Sequence, residues 1–372
     1  MRTMKKIGVV SYNIYGNFTN YGSALQSWAL HQEIEVLGYH PVLVDYCPDI
    51  LMNKDPLNPF GAMWDKDEVS KKMCKLSLPA IRENYYKFNS FYTNKFYRIP
   101  KKYTSANFNE VMEDENLSGF VCGSDTIFCM DEFGFDNGFY ANYDYMRKKS
   151  ISYAASFGDP TFTEEKYRRL NELIPNFLSF GLRENLMLPY IKEHTTVPVQ
   201  RVVDPTLLHT SEKYDTLAYP ERLEKEKYLL YYSRRYSPAM ETYAEKIAKK
   251  HGWKIVDISL RATNAEKGHR MFYEAGVEEF LSLVKYAEYI VTNSFHGMIF
   301  SVQYRKPFVI FSREQCNNKI DEILDLFGLK DHILVTGDEI FNDDIDYEKV
   351  HSRIAKAREN SIAFLKKELE LL

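Results

Sequence analysis

Five short polar clusters in this sequence each follow a run of residues that reads as a β-strand. They are Asn20-Tyr21-Gly22-Ser23, Gly123-Ser124-Asp125, Ser156-Phe157-Gly158, Ser233-Arg234-Arg235 and Asn293-Ser294-Phe295-His296-Gly297. His296 is the sharpest candidate among them, because an imidazole gains and loses its proton near neutral pH. Asn293 or Ser294 would cap the helix expected to follow, whose free N–H groups suit an anion. Gly297 would let a ligand approach the backbone. The plainer alternative is a His that bonds only to its own turn. Asp125 reads as a base or a hydroxyl-orienting carboxylate, and equally as an Asx-turn residue with no further role. Arg183, in the run GLREN, would clamp a carboxylate or phosphate in two-point fashion, or else pair with its neighbour Glu184. Arg234 and Arg235 have the same standing.

The elements that would position these groups follow from the apolar pattern. Residues 5–10 (KKIGVV) predict a buried strand, 23–39 a helix ending at Gly38, and 40–46 the next strand, which makes a βαβ unit. Residues 47–70 carry Pro48, Pro56 and Pro59 as breakers. A long, mostly helical segment is expected over 71–103. Strands then run into the turns at Gly123 and Ser156, 164–178 predict a helix, and 180–185 predict a turn before another helix. From residue 228 the alternation restarts, and the last segment places Ile362, Leu365, Leu369 and Leu372 on one helical stripe. Strands alternating with helices predict a mostly parallel sheet in each half. The expected architecture is α/β, with two Rossmann-type domains facing a cleft. Their expected spans are 1–215 and 225–345, with a terminal helix over 346–372 that crosses back to the first. In such sheets ligands bind beyond the carboxyl ends of the strands, where the polar clusters lie.

The totals narrow the field. A net charge of −4 excludes a generally basic nucleic-acid binder. The 28 Tyr and 24 Phe suit either sugar-facing surfaces or large packed cores. Five cysteines with no CxxC pair indicate neither a disulfide framework nor a zinc site. The N-terminal apolar run stops at Val10, and no window approaches the ~20 apolar residues of a membrane span. A cytoplasmic protein is therefore expected. No GxxxxGK[ST] or GxGxxG is present. Asp344-Ile345-Asp346 lies directly before the last helix and reads as its N-terminal cap, so no metal is expected. Residues 71–103 hold nine basic residues against Glu83 alone, interleaved with Tyr and Phe. That segment reads either as a peripheral contact with an anionic membrane surface or lipid diphosphate, or as a helix with aromatics packed inward and lysines solvated.

Taken in order, NYGSALQSWAL, FVCGSD, SYAASFG, LREN, VDPTLL and SFHG resemble the polysaccharide pyruvyl transferase family. The resemblance spans roughly residues 6–330 and implies a GT-B-like fold with an acceptor-side first domain and a donor-side second domain. It implies transfer of pyruvate from phosphoenolpyruvate to two hydroxyls of a sugar, or of a lipid-linked oligosaccharide, as a cyclic ketal in capsule, exopolysaccharide or cell-wall synthesis. No cofactor is implied beyond phosphoenolpyruvate as donor. His296 would be the general acid and Asp125 its catalytic partner. Donor contacts would come from Arg183, Asn293, Ser294 and Gly297. Asn20, Tyr21, Gly22, Ser23, Ser124 and Ser156 would line the acceptor side. Characterised-type members of the family carry an Arg two residues before the His, and many members have the Ser form that this chain shows at Ser294. Arg234, Arg235 and Arg313 are the candidates to supply that charge. A glycosyltransferase of the same shape is the first alternative, with Glu274, Glu278 or Glu279 as ribose-binding acids. A non-catalytic sugar-binding member is the second.

Overall fold

The computed structural model describes residues 4–12, 14, 15, 19–55, 57, 68–259, 262–312, 317–337 and 344–372. Pro56, Pro59, Arg313 and Cys316 fall outside these residues. The first half builds a six-stranded sheet from β1 (Lys6–Val10), β2 (His40–Leu43), β3 (Gly119–Cys122), β4 (Ser150–Ala155), β5 (Phe177–Leu182) and β6 (Val199–Arg201). Its spatial order is β2-β1-β3-β4-β5-β6, with every neighbouring pair parallel. The helices of this half are α1 (Tyr21–Val36), α2 (Glu68–Lys95), α3 (Val111–Glu115), α4 (Glu164–Leu173), α5 (Leu188–Glu193) and α6 (Ser211–Asp215).

The second half repeats the plan. Its sheet runs β12-β11-β10-β7-β8-β9, again wholly parallel. The strands are β7 (Tyr228–Tyr232), β8 (Lys254–Ile258), β9 (Arg270–Met271), β10 (Tyr289–Thr292), β11 (Phe308–Phe311) and β12 (Ile333–Leu334). Around them lie α7 (Pro238–His251), α8 (Val277–Tyr286), α9 (Phe295–Gln303), α10 (Asn317–Phe327) and α11 (Tyr347–Leu369). Strands β3, β4, β7, β10 and β11 are buried at every position, as a parallel sheet covered on both faces requires.

One segment differs from its sequence reading. The expected helix over 164–178 stops at Leu173, passes through a 3₁₀ turn at Ile174–Asn176, and gives way to strand β5 where a turn was expected. Pro175 removes a helical N–H, so the α-helical ladder cannot continue through it, and Ile174, still helical at φ −49° and ψ −43°, opens the 3₁₀ turn instead. The strand itself is almost wholly buried, so its sequence shows none of the apolar–polar alternation of a half-exposed strand. Its insertion between β4 and β6 puts Arg183 directly beyond a strand's carboxyl end.

Two helices join the halves. Helix α1 buries 13 of its 16 residues, and packs against α8 and α9 as well as its own sheet. Helix α11 begins at Asp346, whose carboxylate accepts Lys349 N–H, and packs on α10, β4 and β5. Ser361 Oγ of α11 accepts Val203 N–H at 3.0 Å, and Gln200 Nε2 donates to Asn360 O at 3.2 Å. Gly181 of β5 lies so close that an added Cβ would stand 2.9 Å from Phe364. Leu365 is fully buried in the core that both halves share. Leu365→Ala should therefore lower unfolding stability by about 2–5 kcal/mol in a urea titration. Lys366→Ala, on the exposed side of the same turn, should change it by under about 0.5 kcal/mol.

Candidate functional site

The polar clusters converge at the carboxyl ends of both sheets. Residues after β3, β4, β5 and β6 supply Asp125, Ser156, Arg183 and Asp204, and residues after β10 supply His296. His296 stands in the first turn of α9, whose N-cap is Ser294, with Ser294 Oγ accepting Gly297 N–H at 3.2 Å. The N–H groups of Phe295 and His296 point out of that helix end with no partner among the described residues. The His296 ring lies directly on helix α1. A Cβ placed on Gly22 would stand 2.0 Å from its Nδ1 and 2.5 Å from Cγ. Only glycine fits there, and this contact carries the second half's imidazole onto the first half's helix.

Behind the ring sits a buried ionic cluster. His296 Nε2 is 3.5 Å from Asp204 Oδ2, an ion-pair distance rather than a short hydrogen bond. The same Oδ2 accepts from Arg183 Nη1 at 2.9 Å, while Arg183 Nε donates to Glu184 Oε1 at 2.7 Å. Thr206 donates its N–H and hydroxyl to Asp204 Oδ1 at 2.9 and 2.6 Å. The Arg183 guanidinium lies over the Phe295 ring at 4.7 Å. Its Nη2 has no partner among the described residues. Arg183 and Asp204 are 6% and 0% exposed, so their charges persist only because they are paired. Burial alone would raise the Asp204 carboxyl, but His296, Arg183 and Thr206 hold it well below the usual carboxylate range. Burial likewise opposes the Arg183 charge, and Glu184, Asp204 and Asp125 more than offset that.

Asp125 forms the facing wall. Its Oδ2 accepts the Ser23 hydroxyl at 2.5 Å, and its Oδ1 accepts Thr126 N–H at 2.9 Å. Burial pushes this carboxyl up, yet Arg183, His296, the Ser23 hydroxyl and Lys319 together keep it below its ordinary value. Ser23 is held by Asn20, whose Oδ1 accepts Ser23 N–H at 3.3 Å as the cap of α1. Lys319, in the first turn of α10, is 8% exposed and has no hydrogen-bond or ion-pair partner among the described residues. One turn later Glu322 accepts Asn185 N–H at 2.8 and 3.0 Å, which ties α10 to the Arg183 turn. The Lys319 charge acts on the Asp125 carboxyl together with those of Arg183 and His296, a set of three cationic groups that suits an anionic ligand.

Several sequence candidates have other work. Tyr21 is buried between the halves, stacked on Phe280 at 4.5 Å, with its hydroxyl donating to Ala275 O at 2.7 Å. Ser124 and Ser156 are fully buried, with Ser124 Oγ donating to Ala154 O and Ser156 Oγ accepting Gly158 N–H. Asn293 braces the neighbouring turn, accepting Arg234 N–H at 2.8 Å and donating to Arg235 O at 2.7 Å. The space over Gly297 is filled by Thr292 and Tyr232 rather than left to a ligand. Arg234 is half-buried, Arg235 is exposed, and Arg313 lies outside the described residues. Glu274, Glu278 and Glu279 pair with Arg270, Lys95 and Lys87. Sequence reasoning gave no role to Asp204 or Lys319. An Asp-Pro step at a turn was the available signal for Asp204, whereas nothing around Lys319 distinguishes it locally.

No group of three or more His, Cys, Asp or Glu side chains among the described residues could hold a metal ion. A family model described as polysaccharide pyruvyl transferase matches residues 20–315, and no curated protein matches the chain. A putative UDP-N-acetylglucosamine 2-epimerase from Listeria monocytogenes shares the fold at a TM-score of 0.53 and 10% identity, covering 99% of this chain and 91% of its own. UDP-GlcNAc 2-epimerase from Neisseria meningitidis follows at 0.47 and 11%, covering 98% and 99% of the two chains. MurG from Acinetobacter baumannii stands at 0.43 and 9%, covering 99% and 100%. The two parallel sheets and their helices are thus a GT-B-like pair of Rossmann-type units.

Two tests follow from this geometry. Alanine ordinarily favours a helix over glycine by about 1 kcal/mol, but Gly22→Ala should push the His296 ring aside. The expected result is a fall in turnover on the order of 100-fold with helical content retained by circular dichroism. Because the Asp204 carboxyl is held low, its contribution to stability is complete above the unfolded value of about 4 and is lost as pH falls below it. Asp204→Asn should be less stable than wild type at pH ~7, with a flatter loss of stability on acidification below pH ~4 in urea titrations.

Proposed function

The chain belongs to the polysaccharide pyruvyl transferase family, and we propose that it transfers the pyruvyl group of phosphoenolpyruvate to two hydroxyls of a glycan sugar. The products are a cyclic ketal and inorganic phosphate. The observation that carries this reading is His296, seated on Gly22 and 3.5 Å from the Asp204 carboxylate that also holds Arg183, with the Asp125 carboxyl acted on by the charges of Arg183, His296 and Lys319. A donor that is both a carboxylate and a phosphate needs cations at one end. It also needs a proton source at its methylene carbon.

In this reading His296 protonates the methylene carbon, which becomes the methyl group and leaves an oxocarbenium centre at the neighbouring carbon. A first sugar hydroxyl attacks that centre, and Asp125 takes its proton. The carbon–oxygen bond to phosphate then breaks, the phosphate leaving with the proton that Asp125 took, and the second hydroxyl attacks the oxocarbenium centre this restores, closing the ketal as its proton returns to His296. Arg183 Nη2, the Lys319 ammonium and the free N–H groups of Phe295 and His296 hold the donor's anionic ends. Lys319 offers the charge that Ser294 lacks, since Ser294 is spent on capping α9. Asp204, 3.5 Å from Nε2, orients the His296 ring. Ser23 and Asn20 fix the Asp125 carboxylate on the acceptor side. No cofactor enters this scheme. The nucleotide-sugar alternative loses its candidate ribose acids to ion pairs with Arg270, Lys95 and Lys87. A lipid-linked oligosaccharide is the acceptor form that would bring such a transferase to a membrane, through part of residues 71–103.

The test is a reaction in deuterated water with phosphoenolpyruvate and a panel of galactose- and mannose-type sugars. The expected product is a ketal whose methyl group carries a single solvent deuteron, formed in step with phosphate release. His296→Ala should slow it by roughly 100- to 10,000-fold. Lys319→Ala should chiefly raise the KM for phosphoenolpyruvate. Turnover of a nucleotide-sugar in place of phosphoenolpyruvate would overturn the reading.

A further inference from the structure

Helix α2 carries its basic residues in two groups that the structure treats differently. Toward its C-terminal end the cations are consumed within the molecule. Lys87 pairs with Glu83 and Glu279, Lys95 with Glu278, Arg98 beyond the helix with Asp45, and Lys101 with Glu110 and Asp114. The aromatic residues Phe88, Phe91, Tyr92 and Phe96 are buried in the core. That part of the segment therefore holds the fold together and is not free for a surface.

The N-terminal part is different. Lys72, Lys75 and Arg82 are exposed and have no ion-pair partner among the described residues. Leu76 and Tyr86 stand 68% and 60% exposed on the same helix. At about 100° per residue, positions 72, 75, 76, 79, 82, 83 and 86 fall within roughly a third of the helix circumference. The acids on this arc are Glu83, which pairs with Lys87, and Glu68 at the start of the helix, which pairs with Lys71. Exposed helix faces ordinarily mix the two signs. This one gathers three free cations around two large apolar side chains, on a chain whose net charge is −4. A generally acidic protein meets a negative surface only in the orientation that presents such a face.

We propose that this stripe of α2 is a docking face for an anionic lipid bilayer, with Lys72, Lys75 and Arg82 over the headgroups and Leu76 and Tyr86 entering the interface. The proposal rests on the transferase reading only in that a lipid-linked acceptor would explain why the enzyme should be there. The contact is shallow and reversible, because the opposite face of the helix is packed on the protein and only the outer stripe is offered.

The experiment is co-sedimentation of the full chain with phosphatidylcholine–phosphatidylglycerol vesicles, set against pure phosphatidylcholine vesicles. Wild type should bind the mixed vesicles and release at about 1 M salt. Lys72→Glu, Lys75→Glu and Arg82→Glu combined should weaken that binding on the order of 100-fold. Leu76→Ser with Tyr86→Ser should weaken it less, and all variants should keep wild-type melting behaviour and transfer to a water-soluble sugar. Failure of wild type to bind mixed vesicles would overturn the proposal. So would equal binding by the charge-reversed variant, or sedimentation velocity showing that the face instead joins two copies of the chain. Vesicle binding by a protein with no transfer activity would count against the transferase reading alone.

Discussion

An imidazole can lie flat on a helix only where that helix has no side chain, and the placement of His296 over Gly22 imposes that condition on the whole molecule. The ring belongs to the second sheet's helix α9, and the glycine belongs to the first sheet's helix α1. To bring them together, α1 must be buried on nearly all sides, which is why it shows no polar face in the sequence and carries Trp28, Leu25 and Ile34 beside buried Ser and Gln. Tyr21, stacked on Phe280 and bonded to Ala275, fixes the same junction from the next residue. Helix α11 closes it from the other side, touching the first sheet at β4 and β5 and the second half at α10. The seam between the halves is thus a packed contact that sets the distance between His296 and Asp125.

The second constraint is electrostatic. Arg183, Asp204 and His296 share one buried cluster, and removing one member of a buried pair commonly costs about 3–5 kcal/mol because the other is left uncompensated. Such a cluster can be retained for what it does rather than for stability. Here it leaves Arg183 Nη2 without a partner among the described residues and holds one imidazole at the strands' carboxyl ends. Asp204 carries most of the organisation, since it accepts from Arg183 and Thr206 and faces His296. The wall opposite is organised the same way, with Asn20 holding Ser23 and Ser23 holding Asp125.

Much of this was legible in the sequence because parallel sheets announce themselves. Continuous apolar runs such as YLLYY and FVIF alternate with helical stretches, and the polar clusters fall after them. His296 and Asp125 could be named because each follows a strand next to a turn signal, and Arg183 because it stands in the turn-like run GLREN. What stayed hidden is what depends on distant partners. Strand β5 reads as helix and turn, because a wholly buried strand has no alternation and Leu, Phe and Ser do not exclude helix. Tyr21, Ser124 and Ser156 look like ligand contacts by type, but their partners lie up to 254 residues away along the chain. Asp204 and Lys319 gain their significance only from the neighbours that folding gives them. The basic segment over 71–103 splits into a paired half and a free half only once Glu278, Glu279 and Asp45 are placed beside it.

The proposed phosphoenolpyruvate site rests on His296 and the Arg183–Asp204 pair. The most direct measurement is calorimetric titration of phosphoenolpyruvate, UDP, GDP and CMP, each alone, into the full chain. The expected result is saturable binding of phosphoenolpyruvate, weakened when the Lys319 charge is removed, and no binding of the nucleotides. Saturable binding of a nucleotide with none of phosphoenolpyruvate would contradict it.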